Sequence, residues 1–507
     1  MRGDVRFGRG FAFVAALALG GCAAVGPNFK PPTPPAAKAY GAAADPVWPT
    51  ASLSADTRAS GPWWRDFGSP ALDEVMTRAL ANNQNLAMAQ ATLEKLRAQA
   101  EREVAALRPQ VRGAASFQRE RIDTAAFGFA GFPSPTISFF NIGPSVSYDL
   151  DLAGGGRRRV ETARARAEAQ ARRADAAYLA LTGNVALAAV KIAALRAYID
   201  TLNGVVADDR QSIDIVVKAE AAGGEPPSAK LGGRLQLEQD QALLPPLLQS
   251  LAEARHGLAM LVGEAPSEWS PPDFTVEDFK PPASIPVAIP SVLVKSRPDI
   301  QAAEADLHAD TAMVGVETAQ LYPDVQLVAG LSQEGVTPGS LFGFGATAYN
   351  FGPQATVPIF DGGAIRADRR AAEAQVRASL AQYRQTVIKA FTQVSDVLSA
   401  LAQDDDRLAT LGRAEATARA SLEDARSAYR LGGAPLATVV GADRAWRRAS
   451  LARVDAVGQR LQDIVALYGA TATDWRTPPN LTGMSPASGK TRPGDTAMTL
   501  APPARSP

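Results

Sequence analysis

Charge of one sign, histidine, cysteine and long apolar runs are all scarce in this chain. Lysine plus arginine (52) equals aspartate plus glutamate (52) over 507 residues. No net field therefore draws it to nucleic acid, and no interleaving of arginine with aromatics points there. The single cysteine rules out an internal disulfide, and with two histidines it rules out most zinc sites. Neither His256 nor His308 stands in an HExxH or triad context, so nothing marks an enzyme. Beyond the N-terminal segment, no run reaches the 18 or so apolar residues of a membrane-spanning helix. If such a chain crosses a membrane, it does so with strands.

What is present is a change of period. Tyr349, Phe351, Ala355, Val357 and Ile359 alternate with Asn350, Gly352, Gln354 and Thr356, which reads as a strand with one oily and one wet face. Residues 360–363 form a turn, with Asp361 placed to cap a helix. From there Val376, Leu380, Tyr383, Val387, Phe391, Val394, Leu398 and Leu401 step by three or four, the seam of a helix packed along its length. No proline intervenes before Pro435, so the helix can run roughly 65–70 residues, about 100 Å. Ordinary globular helices have about 11–12 residues. A compact domain has no place for this rod.

The body is written twice. Leu107-Arg108-Pro109-Gln110-Val111 recurs as Leu321-Tyr322-Pro323-Asp324-Val325, and Asn85-Leu86 as Asp299-Ile300. Asn141-Ile142-Gly143-Pro144 recurs as Asn350-Phe351-Gly352-Pro353, Gly223-Gly224 as Gly432-Gly433, and Trp269 as Trp475. The offset stays near about 210 residues, as a tandem unit with loop insertions requires. Each unit reads helix, strand, loop, strand, long helix, break, helix. Repeat 1 is expected over 63–270, with strands near 109–121 and 139–152, a long helix near 157–219 and a further helix near 227–262. Its long helix shows Tyr178, Leu181, Val185, Ala188, Ile192, Leu195, Ile199, Leu202 and Val206 in heptad spacing. After a linker at 271–288, repeat 2 is expected over 289–476, with strands near 323–334 and 347–360 and helices near 363–431 and 436–469. Gly- and Phe-rich loops at 127–139 and 339–345 join the strand pairs, the pattern of outer-membrane hairpins. A disordered tail is expected over 477–507.

Arg2, Arg6 and Arg9, a short apolar run and Leu19-Gly20-Gly21-Cys22 make 1–21 a secretory signal. The Leu-Gly-Gly-Cys ending resembles a bacterial lipobox, which implies a diacylglycerol and an N-acyl lipid on Cys22. Ala23, rather than aspartate, implies sorting to the outer membrane. Residues 22–62 then read as a lipidated N-terminus and an extended Pro/Ala-rich linker.

Four strands cannot close a barrel, since small barrels need about eight, and an open sheet leaves unpaired backbone in lipid. Three copies would supply twelve strands, with polar faces lining a wet lumen that the long helices extend as a tube. The motifs agree. Cys22-Ala23-Ala24-Val25-Gly26-Pro27-Asn28-Phe29-Lys30-Pro31, Trp63-Trp64-Arg65-Asp66-Phe67, Leu244-Pro245-Pro246-Leu247, Ser296-Arg297-Pro298-Asp299-Ile300 and Tyr429-Arg430-Leu431-Gly432 resemble those of the TolC-like outer membrane factors, OprM/NodT-type lipoproteins. The resemblance spans about residues 22–475. It implies an α+β membrane protein of TolC-like fold: a homotrimer with a twelve-stranded barrel in outer membrane lipid above a coiled-coil periplasmic tunnel. Its implied role is the exit duct of a tripartite efflux pump, with no cofactor besides the lipid. Its implied partners are a periplasmic membrane-fusion adaptor and an inner-membrane RND-type transporter. The alternative is the duct of a type I protein secretion system or another ABC- or MFS-linked exporter.

The resemblance also places a periplasmic gate after Tyr429. Many relatives read Leu-Asp-Ala-x-Arg there, whereas this chain reads Val440-Gly441-Ala442-Asp443-Arg444. Arg444 matches, but Gly441 stands where the acid would be, so the acidic ring is either lost or supplied by Asp443 two residues later. Gly223, Gly224, Gly432 and Gly433, at the far tips of the long helices, are candidate adaptor contacts. Three further signals have local readings. Gly154-Gly155-Gly156 lacks the lysine of a phosphate loop and reads as a strand-to-helix turn. Arg157, Arg158 and Arg159 could reach lipid phosphates or be solvated. Asp404-Asp405-Asp406 could bind a cation or form a solvated helix face.

Overall fold

The computed structural model describes residues 24–33, 37, 39–41, 52–54, 62–128, 131–281 and 286–471. The signal segment, Cys22, Trp475 and the tail lie outside them. A short strand β1 (Ser52–Ser54) comes first. A 3-10 turn (Trp63–Phe67) leads to α1 (Pro70–Asn82) and α2 (Gln84–Ala106). Ser69 and Asn83 cap the two helices, their side-chain oxygens accepting from the amides of Leu72 and Leu86. Strands β2 (Gln110–Arg121) and β3 (Thr136–Asp149) form an antiparallel hairpin, and α3 (Gly155–Ala221) leaves it directly.

At 67 residues α3 is about 100 Å long. Its start is fixed by Asp151, whose carboxylate accepts from the amides of Gly156 (2.7 Å) and Arg157 (3.0 Å). The repeat-related Asp361 does the same for α8 (Ala364–Arg430), also 67 residues, accepting from Gly363 and Ile365 at 2.8 Å each.

The helix anticipated over 227–262 is two helices, α4 (Pro227–Gln241) and α5 (Leu244–Val262). Pro245 and Pro246 supply no amide to the preceding turn, so the ladder breaks at 242–243. The linker after α5 is not wholly irregular. It contributes β4 (Pro286–Ala288), which pairs in parallel with β1. Then come α6 (Pro290–Ser296), α7 (Pro298–Ala319), β5 (Asp324–Gly335), β6 (Thr347–Thr356), α8 and α9 (Leu436–Thr471).

The main sheet has the order β2-β3-β5-β6, antiparallel throughout. Its helix ends continue into a core where α1, α3, α5 and α9 meet. There Trp63 stacks on Tyr468 (4.9 Å between centroids), with Phe67, Phe274, Leu72 and Met76 fully buried around them. The Tyr468 hydroxyl donates to Asp66 at 2.8 Å. The row of alanines on α3 (Ala186, Ala189, Ala193), all fully buried, lets neighbouring helices approach closely.

One sequence expectation changes. Although no strictly apolar run exists, a window of α3 is apolar enough, by length and composition, to span a membrane, because alanines replace charges there. Half of that window is buried within the chain. Its buried alanines pack against neighbouring helices, as those of a core helix do.

Candidate functional site

Both long helices end in the same way. Gly223 (φ +78°) and Gly432 (φ +76°) adopt the left-handed conformation that only glycine takes without strain, and Gly224 and Gly433 return amides to Ala219 O (2.9 Å) and Ala428 O (2.8 Å). The four glycines thus close two exposed αα-hairpin tips, α3–α4 and α8–α9, and their primary role is conformational.

Just inside these tips lies a buried charge cluster. Arg447 on α9, 5 % exposed, donates to Asp209 Oδ1 (3.0 Å) and to the Val205 carbonyl on α3. It also pairs with Asp443 one turn back, and Asp208 stands 3.6 Å away. Asp443 takes a second, longer contact from Arg426 of α8 at 3.4 Å. Arg444 points elsewhere, its guanidinium 3.5 Å from the Gly232 carbonyl of α4. Gly441 has open space where a side chain would stand. The cluster therefore ties four helix tips together.

Of the three gate candidates, Asp443 belongs to this internal clamp and Arg444 bridges to α4. Arg447, Asp209 and Arg426 were missed. The i, i+4 spacing of Asp443 and Arg447 was a visible signal, but their partner on α3 is over two hundred residues away in sequence.

Burial pushes the Asp209 carboxyl up to about 6, and a hydrogen bond with Asp240 on α4, which needs a shared proton, adds to the rise. Arg447 opposes it. A second such pair stands farther from the tips. Asp404 of α8 is buried and raised to about 6 by burial and by Asp463 of α9, against Arg407 and Arg460. The acidic triplet is thus not a solvated face: Asp404 is buried and Asp405 pairs with Arg460 at 2.7 Å. No cluster of metal-ligating residues occurs among the described residues.

A raised carboxyl pKa means the folded chain holds this proton more tightly than the unfolded chain. The stabilisation is complete below about pH 4 and is lost as pH rises through about 6. Asp404→Asn should remove that slope and raise stability at pH 7.5 by about 1 kcal/mol after allowance for screening. Thermal melts of both proteins between pH 4.5 and 7.5 test this. Parallel curves would refute it.

The arginine triplet at the start of α3 is engaged by protein. Arg157 pairs with Asp151 (3.1 Å), Arg159 lies 3.9 Å from Glu103, and Arg158 is buried. Arg158 is thus withdrawn from any lipid surface, while Arg157 and Arg159 stay nearly half exposed.

A sheet with two open ends, continuous with paired helices about 100 Å long, is the architecture of a channel wall segment. The sequence profile of one family, described as outer membrane efflux protein, matches residues 75–264 and 289–473. The chain belongs to that family. It is an outer-membrane channel component of an efflux system, in a family of ducts rather than enzymes. The pyoverdine export outer membrane protein OpmQ of Pseudomonas aeruginosa is 29% identical over 422 residues, covering 82% of this chain and 88% of OpmQ. The cation efflux system protein CusC of Escherichia coli K12 is 26% identical over 461 residues, covering 90% and 97%. The solved outer-membrane channel OprN superposes with a TM-score of 0.81 at 26% identity, covering 89% of this chain and 100% of OprN. The TolC-like fold is thereby established.

Proposed function

We propose that three copies close into a twelve-stranded barrel through β2 and β6, forming a passive duct that hands small molecules from a periplasmic adaptor and an RND-type inner-membrane transporter to the exterior. The carrying observation is the sheet's pair of unfilled edges. Among the described residues β2 and β6 each pair on one side only. Tyr349 and Phe351 on β6 are both 84% exposed, and Val111 on β2 is 71% exposed. Apolar edge strands left in water would aggregate; closed in lipid, they are satisfied. Cys22, acylated, would hold each copy to the inner leaflet of the outer membrane.

OpmQ and CusC are named for chemically unlike cargoes, pyoverdine and cations, at similar distance from this chain. That supports a wall that does not choose its cargo, with selection made by the transporter. The exposed tips at Gly223, Gly224, Gly432 and Gly433 are the surface we assign to the adaptor. Gly441, Asp443 and Arg444 form the resting constriction, held by the Arg447 clamp.

Planar-bilayer recording of the purified protein, alongside electrophoresis with and without heating, tests the reading. A heat-dissociable trimer with a small resting conductance is expected, and the double variant Asp443→Ala/Arg444→Ala should raise that conductance severalfold. A monomer without conductance would sink the duct, and an unchanged conductance in the variant would sink the gate.

A further inference from the structure

The first described residues of the chain are held in a manner that neither the channel wall nor the gate explains. Arg158, in the first turn of α3, is 4% exposed and spends its guanidinium on the N-terminal segment. Its Nε donates to the Val25 carbonyl (3.1 Å), and Nη2 donates to the carbonyls of Ala24 and Gly26 (3.3 Å each) and to Asn28 Oδ1 (2.8 Å). Nη1 is fixed by Glu161 at 2.7 Å. The Val25 amide in turn donates to the Ala153 carbonyl at 3.0 Å.

The segment lies against backbone. A Cβ on Gly26 (φ +91°) would stand 2.4 Å from Gly315 Cα of α7, and one on Gly154 would stand 2.5 Å from Ala24 Cβ. Phe29 stacks on His308 of α7 (4.5 Å, 13°), and His308 is in turn 2.9 Å from Glu161. So Ala24–Phe29 is threaded into a cleft between α3 and α7, beside the point where β3 becomes helix. Two peptide steps, at most about 7 Å, separate Ala24 from Cys22.

We infer that this cleft is a registering clasp: it captures the segment after Cys22 so that the acyl chains enter the leaflet beside the helix end of the sheet, with Arg158 as the positioning residue. This rests on the lipoprotein reading above. The chemistry suits the task. A planar guanidinium spreads five donors over three nitrogens, so it spans more acceptors than the three donors on a single lysine nitrogen, and a buried charge left without them would be costly. The clasp therefore either holds the whole segment or opens as a unit. A flexible tether would let lipid and sheet enter the membrane independently; a clasp makes their spacing fixed.

The experiment uses the full chain in cells, as wild type, Arg158→Leu, a non-acylated form (Cys22→Ala behind a signal sequence cut by the ordinary signal peptidase), and the combination. Incorporation of labelled palmitate is scored in each, together with the fraction recovered from outer membranes as heat-dissociable trimer. Limited proteolysis scores exposure of residues 24–30. In the acylated chain, Arg158→Leu should keep its palmitate, cut at least about tenfold faster in the segment, and lower the trimer fraction. In the non-acylated chain the same substitution should lower the trimer fraction no further. An equal loss in both backgrounds means that Arg158 is merely structural and overturns the inference, as does a trimer fraction that Arg158→Leu leaves intact in the acylated chain. Absence of palmitate from the wild type would overturn the lipoprotein reading itself, and is read separately from the clasp. Gly26→Val, which leaves Arg158 in place, must reproduce the Arg158→Leu pattern.

Discussion

Arg447→Ala is expected to lower stability by about 3–5 kcal/mol per chain and to loosen the helix tips, because it strips the cation from two buried carboxylates. Asp443 and Asp209 are both under a tenth exposed, and each depends on this guanidinium. Arg426 cannot take over: it is more than half exposed and already 3.4 Å from Asp443. The defect should depend on pH. With Asp209 already raised to about 6 in the presence of Arg447, losing that opposing charge raises it further. Protonation then relieves the variant, so the penalty shrinks below about pH 6 and is full at pH 8. Melting followed by circular dichroism at pH 5 and pH 8 measures this, and a pH-independent loss would contradict the electrostatic account. A triple variant, Arg447→Met with Asp209→Asn and Asp443→Asn, should recover part of the stability, since it leaves no buried charge without a partner. In bilayers, Arg447→Ala should conduct more than the wild type at rest, because α9 is then no longer pinned to α3.

That cluster marks where reading the sequence stops. The long helices were legible because their apolar seam is a local, periodic signal repeated over many turns, Tyr178 to Val206 in one copy and Val376 to Leu401 in the other. The strands were legible because alternation changes abruptly to helical period at Gly154 and at Gly363. The repeat exposed the corresponding caps, Asp151 and Asp361. Pairings between distant segments left no such trace. Nothing local says that Ser52–Ser54 will lie along Pro286–Ala288, or that Arg447 will meet Asp209. Arg158 looked like one of three equivalent arginines, and only the fold separates it, since helical rotation turns it toward α7 while Arg157 and Arg159 face outward. Asp404 misled for the same reason. Three consecutive acids suggest solvent, yet a helix turns about 100° per residue, so Asp404 is buried and Asp405 reaches Arg460 while Asp406 stays exposed. Gly441 and Asp443 show the converse. The family pattern drew attention to this stretch, but it gave no sign that Asp443 would be buried against Arg447.

The sheet carries the second large effect. Gly143 lies on β3, an interior strand, between the paired positions Ile142–Gln333 and Ser145–Gly330. At that point β5 comes so close that a Cβ on Gly143 would stand 1.9 Å from the Leu331 carbonyl oxygen and 2.7 Å from Ser332 Cα. Both are backbone atoms, so no side chain can turn aside, and Pro144 next to it offers no amide to compensate. Gly143→Val should therefore force β3 and β5 apart at a cost of about 3 kcal/mol or more, and the chain should reach the outer membrane fraction without a heat-dissociable trimer. The repeat-related Gly352 has nothing within 4 Å, because its strand is the sheet's free edge. Gly412→Ala is the matched control. It lies mid-helix in open space, and alanine there should be neutral or stabilising by up to about 1 kcal/mol. If Gly143→Val assembled as well as Gly412→Ala, the close approach of β3 and β5 would not exist in the membrane. The sheet would then have to pair differently from the order β2-β3-β5-β6, and closure through β2 and β6 would lose its basis.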